Sequence, residues 1–147
     1  MNSTWPLRAV AQAADMKPRA LRQWFETGVL ELTGADRKSS GSGVQCGLSR
    51  QRAYQAAIVQ HLTRLGMTVS RAANSAFQFT DCGNTGRAPG ELFEHHKTVL
   101  VITPECTTVK NISYDAMLTD ISNRAVCAII VDINQIVHNV NSQLESF

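Results

Sequence analysis

Lys17, Arg19, Arg22 and Gln23 are the residues whose types and spacing suit a definite chemistry. An arginine presents a planar fork to O6 and N7 of guanine, and a glutamine pairs with adenine in the same major groove. A lysine just ahead of a helix, with that helix's first amides, suits a backbone phosphate. Arg37 and Lys38, in a Gly/Ser-rich stretch farther on, are of a type to lie along further phosphates. The bland alternative is an ordinary helical hairpin with a solvated basic face.

These side chains must be held by the stretch 7–30, LRAVAQAADMKPRALRQWFETGVL, which predicts two short helices and a tight turn. Leu7, Val10, Ala11 and Ala14 recur at helical spacing and give the first helix one apolar face. Asp15-Met16-Lys17 breaks that pattern, and Pro18 is suited to open the second helix because its missing N–H is not needed there. Leu21, Trp24 and Phe25 form the inward face, which turns Arg19, Arg22 and Gln23 outward. Gly28 ends the helix. Trp5, in the short lead-in, is expected to pack on the first helix.

The next stretch, 29–49, is rich in Gly and Ser. Residues 30–32 and 44–46 read as the arms of a hairpin, a wing that carries Arg37 and Lys38, with a flexible linker as the alternative. Ser49 is a good N-cap for a third helix, whose face is Tyr54, Ala57, Ile58, His61, Leu62 and Leu65. His61 is expected there as a satisfied, partly buried histidine. Thr68 caps a fourth helix through Val69, Ala72, Ala73, Ala76 and Phe77, and Arg50, Arg52, Arg64 and Arg71 fall on the polar sides.

On Arg19, Leu21-Arg22, Trp24, Gly28-Val29-Leu30, Leu48-Ser49 and Leu62 with Leu65-Gly66-Met67-Thr68, residues 5–79 resemble the DNA-binding domain of the MerR family. The resemblance implies a winged helix-turn-helix, with Arg19 and Arg22 facing DNA and wing residues on the backbone. The chain departs from the family pattern at Asp15, where glycine is usual, and at Lys17, where serine is usual. Gln23-Trp24 stands where a pair of tyrosines is typical, Gln45 replaces the wing arginine, and the wing is longer. No long dimerising helix follows residue 80. Excisionases share this winged fold, so an architectural recombination role is implied as an alternative.

Charge divides the chain. Residues 1–80 carry ten Lys/Arg against four acids, a net of +6, and residues 81–147 carry four against eight, a net of −4. A basic half of this kind suits a polyanion, since each neutralised phosphate releases counterions. The segment 80–90, TDCGNTGRAPG, marks a domain boundary, and 81–96 is expected as a linker. Glu91, Glu94, His95 and His96 lie close together but lack metal-ligand spacing, so a solvated segment is the expectation. Beyond it, 98–103 and 126–133 predict strands buried on both faces, 107–112 a further strand and 114–123 a helix. A closing helix over 135–147 carries a stripe through Ile136, Val137, Val140, Leu144 and Phe147. Asp132 is placed to cap it. A unit this small, with such a stripe, is expected to dimerise through Ile136, Val140 and Leu144.

Cys46, Cys82, Cys106 and Cys127 form no CxxC pair, so free thiols in a reducing cytoplasm are expected. The longest apolar runs are too short to span a bilayer. The expectation is thus an α+β protein: a winged helix-turn-helix (four helices and a β wing) over 1–80, then a small α/β dimerisation or regulatory domain over 97–147. Its partners are double-stranded DNA and a second copy, it acts as a nucleoid-associated transcriptional regulator, a phage or mobile element being one setting, and it uses no metal or cofactor. No catalytic constellation is visible. Against this stands a protein-interaction or ligand-sensing module without DNA binding.

Overall fold

The computed structural model describes residues 3–36, 47–113 and 115–147. Among these residues the fold is mixed α+β, with six helices and two small antiparallel sheets. β1 (Trp5–Pro6) runs directly into α1 (Leu7–Ala13), and α2 (Pro18–Glu26) follows a short turn. β2 (Gly47–Leu48) pairs with β1, Trp5 opposite Leu48. α3 (Arg50–Arg64) and α4 (Val69–Thr80) complete this half. Ser49 and Thr68 cap them as their types predict, each side-chain oxygen accepting from the amide of Arg52 or Arg71. α3 is the central strut: residues 52–59 are all buried. Its small residues Ala53, Ala56 and Ala57 admit neighbouring helices closely, while Ile58, Val59 and Leu62 fill the space between them.

The second half is a three-stranded sheet with one long helix. β3 (Lys97–Ile102) is central, flanked by β4 (Thr107–Ile112) and β5 (Ile129–Asp132), both antiparallel to it. Leu100 stands opposite Val109 on one side and Val131 on the other. Residues 98–102 are buried, which is what their unbroken apolar, β-branched run requires. α5 (Leu118–Ile121) sits in the excursion between β4 and β5, and α6 (Ile133–Leu144) follows β5 without a break. Asp132 caps α6, its carboxylate accepting from the amide of Gln135.

Several expectations need correction. The helix expected over 114–123 is one short turn: Met117 is extended, so the helix starts only at Leu118, and Asn123 and Arg124 take left-handed backbone conformations just past its end. The strand expected over 126–133 is shorter, and it forms a sheet edge rather than a strand buried on both faces. Val126 is fully exposed ahead of it. Residues 30–32 are not a strand: Leu30 instead buries its side chain and closes the end of α2. Residues 44–46 lie outside the described residues. His61 is exposed rather than partly buried, and so is Leu65, because the inward face of α3 ends at Leu62.

The largest correction concerns Ile136, Val140 and Leu144. They are buried, Val140 completely, against the chain's own α1, α3 and β3. The stripe therefore offers no free surface for dimerisation, and the exposed-stripe argument does not hold. One continuous core joins Val10, Leu21 and Ile58 of the first half to Leu100, Ile133 and Leu144 of the second. Arg50 and Tyr54 of α3 both donate to the Asn141 side chain of α6, and Arg50 also stacks on Trp5.

The segment after α4 is likewise no free tether. Arg87 is buried and donates to the carbonyls of Gln78 (2.9 Å), Phe79 (3.1 Å), Cys82 (2.8 Å), Ala88 and Glu91. It thereby satisfies the carbonyls that the end of α4 leaves open, and folds the loop back onto that helix. Desolvation lowers the Arg87 pKa against a smaller upward pull from Cys82. The Gly90 amide also bonds the Phe79 carbonyl, in a left-handed conformation where a Cβ would meet Gln51 at 2.8 Å.

Candidate nucleic-acid interface

The candidate surface is the outer side of α2. Leu21 is buried and Trp24 and Phe25 are half-buried, which fixes the helix's rotation. Lys17, Arg19, Arg22 and Gln23 are all exposed, Lys17 as the N-cap residue and the others on the helix itself. No hydrogen bond or ion pair to a described residue engages the side chains of Lys17, Arg19 or Arg22. Three donors are thus held out on a helix with no partner among the described residues. Arg37 and Lys38 lie outside the described residues.

The turn before α2 is built to aim it. Asp15 has φ +55°, a left-handed conformation that aspartate adopts more readily than most residues. Its carbonyl accepts from Arg64 (2.9 Å) and Gln60 (3.2 Å), and its carboxylate accepts from Arg64 (3.1 Å). The last turns of α3 therefore grip the turn, and α2 leaves it in a set direction. At the other end, Gly28 takes φ +80°, and the Leu30 amide reaches back to the Trp24 carbonyl. Pro18 occupies the first turn, where no amide is required.

One buried carboxylate joins the described residues on either side of 37–46. Asp36 accepts from the amide and hydroxyl of Thr33 (2.7 and 3.1 Å) and from the amide of Ser49 (2.6 Å). Its partner is Arg52, at 3.9 Å, which is 1% exposed and also grips both carboxylate oxygens of Asp81 and the side chain of Gln55. Arg52 was expected on a polar helix side. It is buried because α3 is enclosed on nearly every side, and two carboxylates make that burial tolerable. The signal available in sequence was weak: an arginine in the first turn of an alanine-rich helix, between Gln51 and Gln55, with acids at a distance along the chain. The structure thus brings Lys17, Arg19, Arg22 and Gln23 to one surface and anchors residues 36 and 47–49 beside the core.

Among the described residues, no group of His, Cys, Asp and Glu is gathered to hold a metal ion. His95 and His96 are exposed, and Cys82, Cys106 and Cys127 are free thiols; Cys46 lies outside the described residues. No described helix is long and apolar enough to cross a membrane. Neither protein-family models nor curated proteins give a match to this chain.

Proposed function

We propose that this protein binds double-stranded DNA through α2 and regulates transcription. In this reading the first half is a winged helix-turn-helix. Arg19, Arg22 and Gln23 read base edges in the major groove, Lys17 and the start of α2 hold a phosphate, and Arg37 and Lys38 lie along the neighbouring backbone. The observation that carries the reading is the exposed set of Lys17, Arg19 and Arg22, without a partner among the described residues, on a helix whose opposite side is locked into the core. The Asp15–Arg64 grip and the Asp36 anchor support it, since a reading helix and a wing need fixed relative positions. The charge difference between the halves supports it as well.

Selection from a pool of random duplexes, followed by recovery of bound fragments from cells, tests this proposal. Enrichment of one motif, centred on promoters and lost in Arg22→Ala, supports it. Failure to enrich any duplex overturns it, and enrichment confined to recombination sites replaces regulation with an architectural role.

A further inference from the structure

The outer face of α2 carries one acid. Glu26 is exposed and is the last residue of that helix. At roughly 100° per residue, position 26 falls about 20° from Arg19 around the helix, with Arg22 to one side and Gln23 to the other. It therefore shares the face of those three side chains, about 10 Å beyond Arg19 along the axis. The other acids of the basic half are placed differently. Asp15 pairs with Arg64, Asp36 lies beside Arg52, and Glu31 stands past the end of α2. The Glu26 side chain has no hydrogen bond or ion pair among the described residues, and none with Arg22 one turn back. Its position is unfavourable twice over. A carboxylate at a helix C-terminus meets the negative end of the macrodipole, and no basic residue in that last turn offsets it. With α2 in the groove, the same carboxylate also faces a polyanion.

We infer that Glu26 is a specificity-determining residue that accepts a hydrogen bond from the exocyclic amino group of a cytosine, an inference that rests on the DNA reading of α2. In the major groove cytosine shows the N4 amino donor, guanine two acceptors, thymine the O4 acceptor, and adenine an amino donor beside the N7 acceptor. An ionised carboxylate only accepts, so guanine and thymine repel it, adenine suits it in part, and cytosine satisfies it. Four residues separate Glu26 from Arg22, a rise of about 6 Å, or roughly two base-pair steps. Arg22 and Glu26 together thus ask for a guanine and a cytosine roughly two steps apart. The acid also weakens binding to duplexes without that cytosine, which sharpens the choice of site.

The test is competition binding of the full chain, Glu26→Ala and Glu26→Gln to duplexes that carry each base pair in turn at every position of the selected site. The unmodified chain should prefer cytosine about tenfold at one position near the one that Arg22→Ala relaxes. Glu26→Ala should abolish that preference, keep the Arg22 position as selective as before, and tighten binding to duplexes without the cytosine. Glu26→Gln should move the preference to adenine, with which a glutamine pairs. Putting pyrimidin-2-one, which lacks the amino group, in place of the cytosine should weaken the unmodified chain and leave Glu26→Ala indifferent. Base preferences that are the same in Glu26→Ala as in the unmodified chain overturn the inference, and a retained Arg22→Ala effect then leaves the DNA reading standing. Should a variant fold poorly, the pyrimidin-2-one duplex still decides, since an unmodified chain indifferent to the missing amino group overturns the inference. A chain that selects no duplex overturns both.

Discussion

Leu144→Ala probes whether the two halves share one core. Leu144 is 1% exposed in the last turn of α6, a helix packed on α1 and α3 of the first half. Truncating a fully buried leucine removes its transfer energy and leaves a cavity, which together cost about 2–5 kcal/mol. Because the site lies in the last turn of α6, where the helix end can partly close the gap, we expect a loss of about 2–3 kcal/mol. For a chain of this size that corresponds to a fall in melting temperature on the order of 4–12 °C. Both tryptophans, Trp5 and Trp24, lie in the first half, so fluorescence reports there while the mutation lies in the second. Urea unfolding followed by fluorescence and by far-UV circular dichroism should give one coincident transition, shifted equally by both probes. A fluorescence midpoint left in place, with a separate earlier transition in the dichroism, would refute the shared core.

Other perturbations test the elements around it. Burial pushes the Asp132 carboxyl upward, but hydrogen bonds from Lys97 and the Gln135 and Asn134 amides outweigh it, so its pKa lies below the ordinary range. Its contribution is therefore fully present above about pH 4 and lost as pH falls through the folded-state value. Asp132→Ala should cost about 1 kcal/mol at neutral pH, and the gap from the unmodified chain should close in acid; a gap constant down to strongly acid pH contradicts this. Arg52→Met leaves Asp36 and Asp81 without their common cation and should cost about 3–5 kcal/mol in urea unfolding. A loss below about 1 kcal/mol would show that water replaces the guanidinium. Chelator and reductant should leave the melting curve unchanged, whereas a fall of several degrees would reopen a metal role for Glu91, Glu94, His95 and His96.

Local rules were legible where a residue type and a backbone need coincide. Ser49, Thr68 and Asp132 cap their helices, Gly28 ends α2, and the strand over 107–112 is found as its residues predict. What sequence did not reveal was which surfaces meet. The α6 stripe has the same period whether it covers a partner chain or its own α1 and α3, so periodicity could not distinguish those outcomes. Arg87 shows a second limit: a glycine- and proline-rich segment looks like a tether until one buried guanidinium gathers its carbonyls. Arg52 shows a third, since a charged residue is read as surface unless its distant acids are already known to converge on it. The α2 surface was legible because an amphipathic helix states its outward face directly.

The central claim, that α2 reads duplex DNA, is tested most directly by fluorescence anisotropy titration of the selected duplex at several salt concentrations. With Lys17, Arg37 and Lys38 on phosphates, the logarithm of the association constant should fall against the logarithm of salt with a slope of roughly −3. Lys38→Ala should weaken binding to every sequence and reduce that slope by about 1, while Arg22→Ala should cost about 1–3 kcal/mol on the selected site and relax its base preference. Binding that is indifferent to salt, or an Arg22→Ala variant that discriminates between duplexes as well as the unmodified chain, would contradict the account.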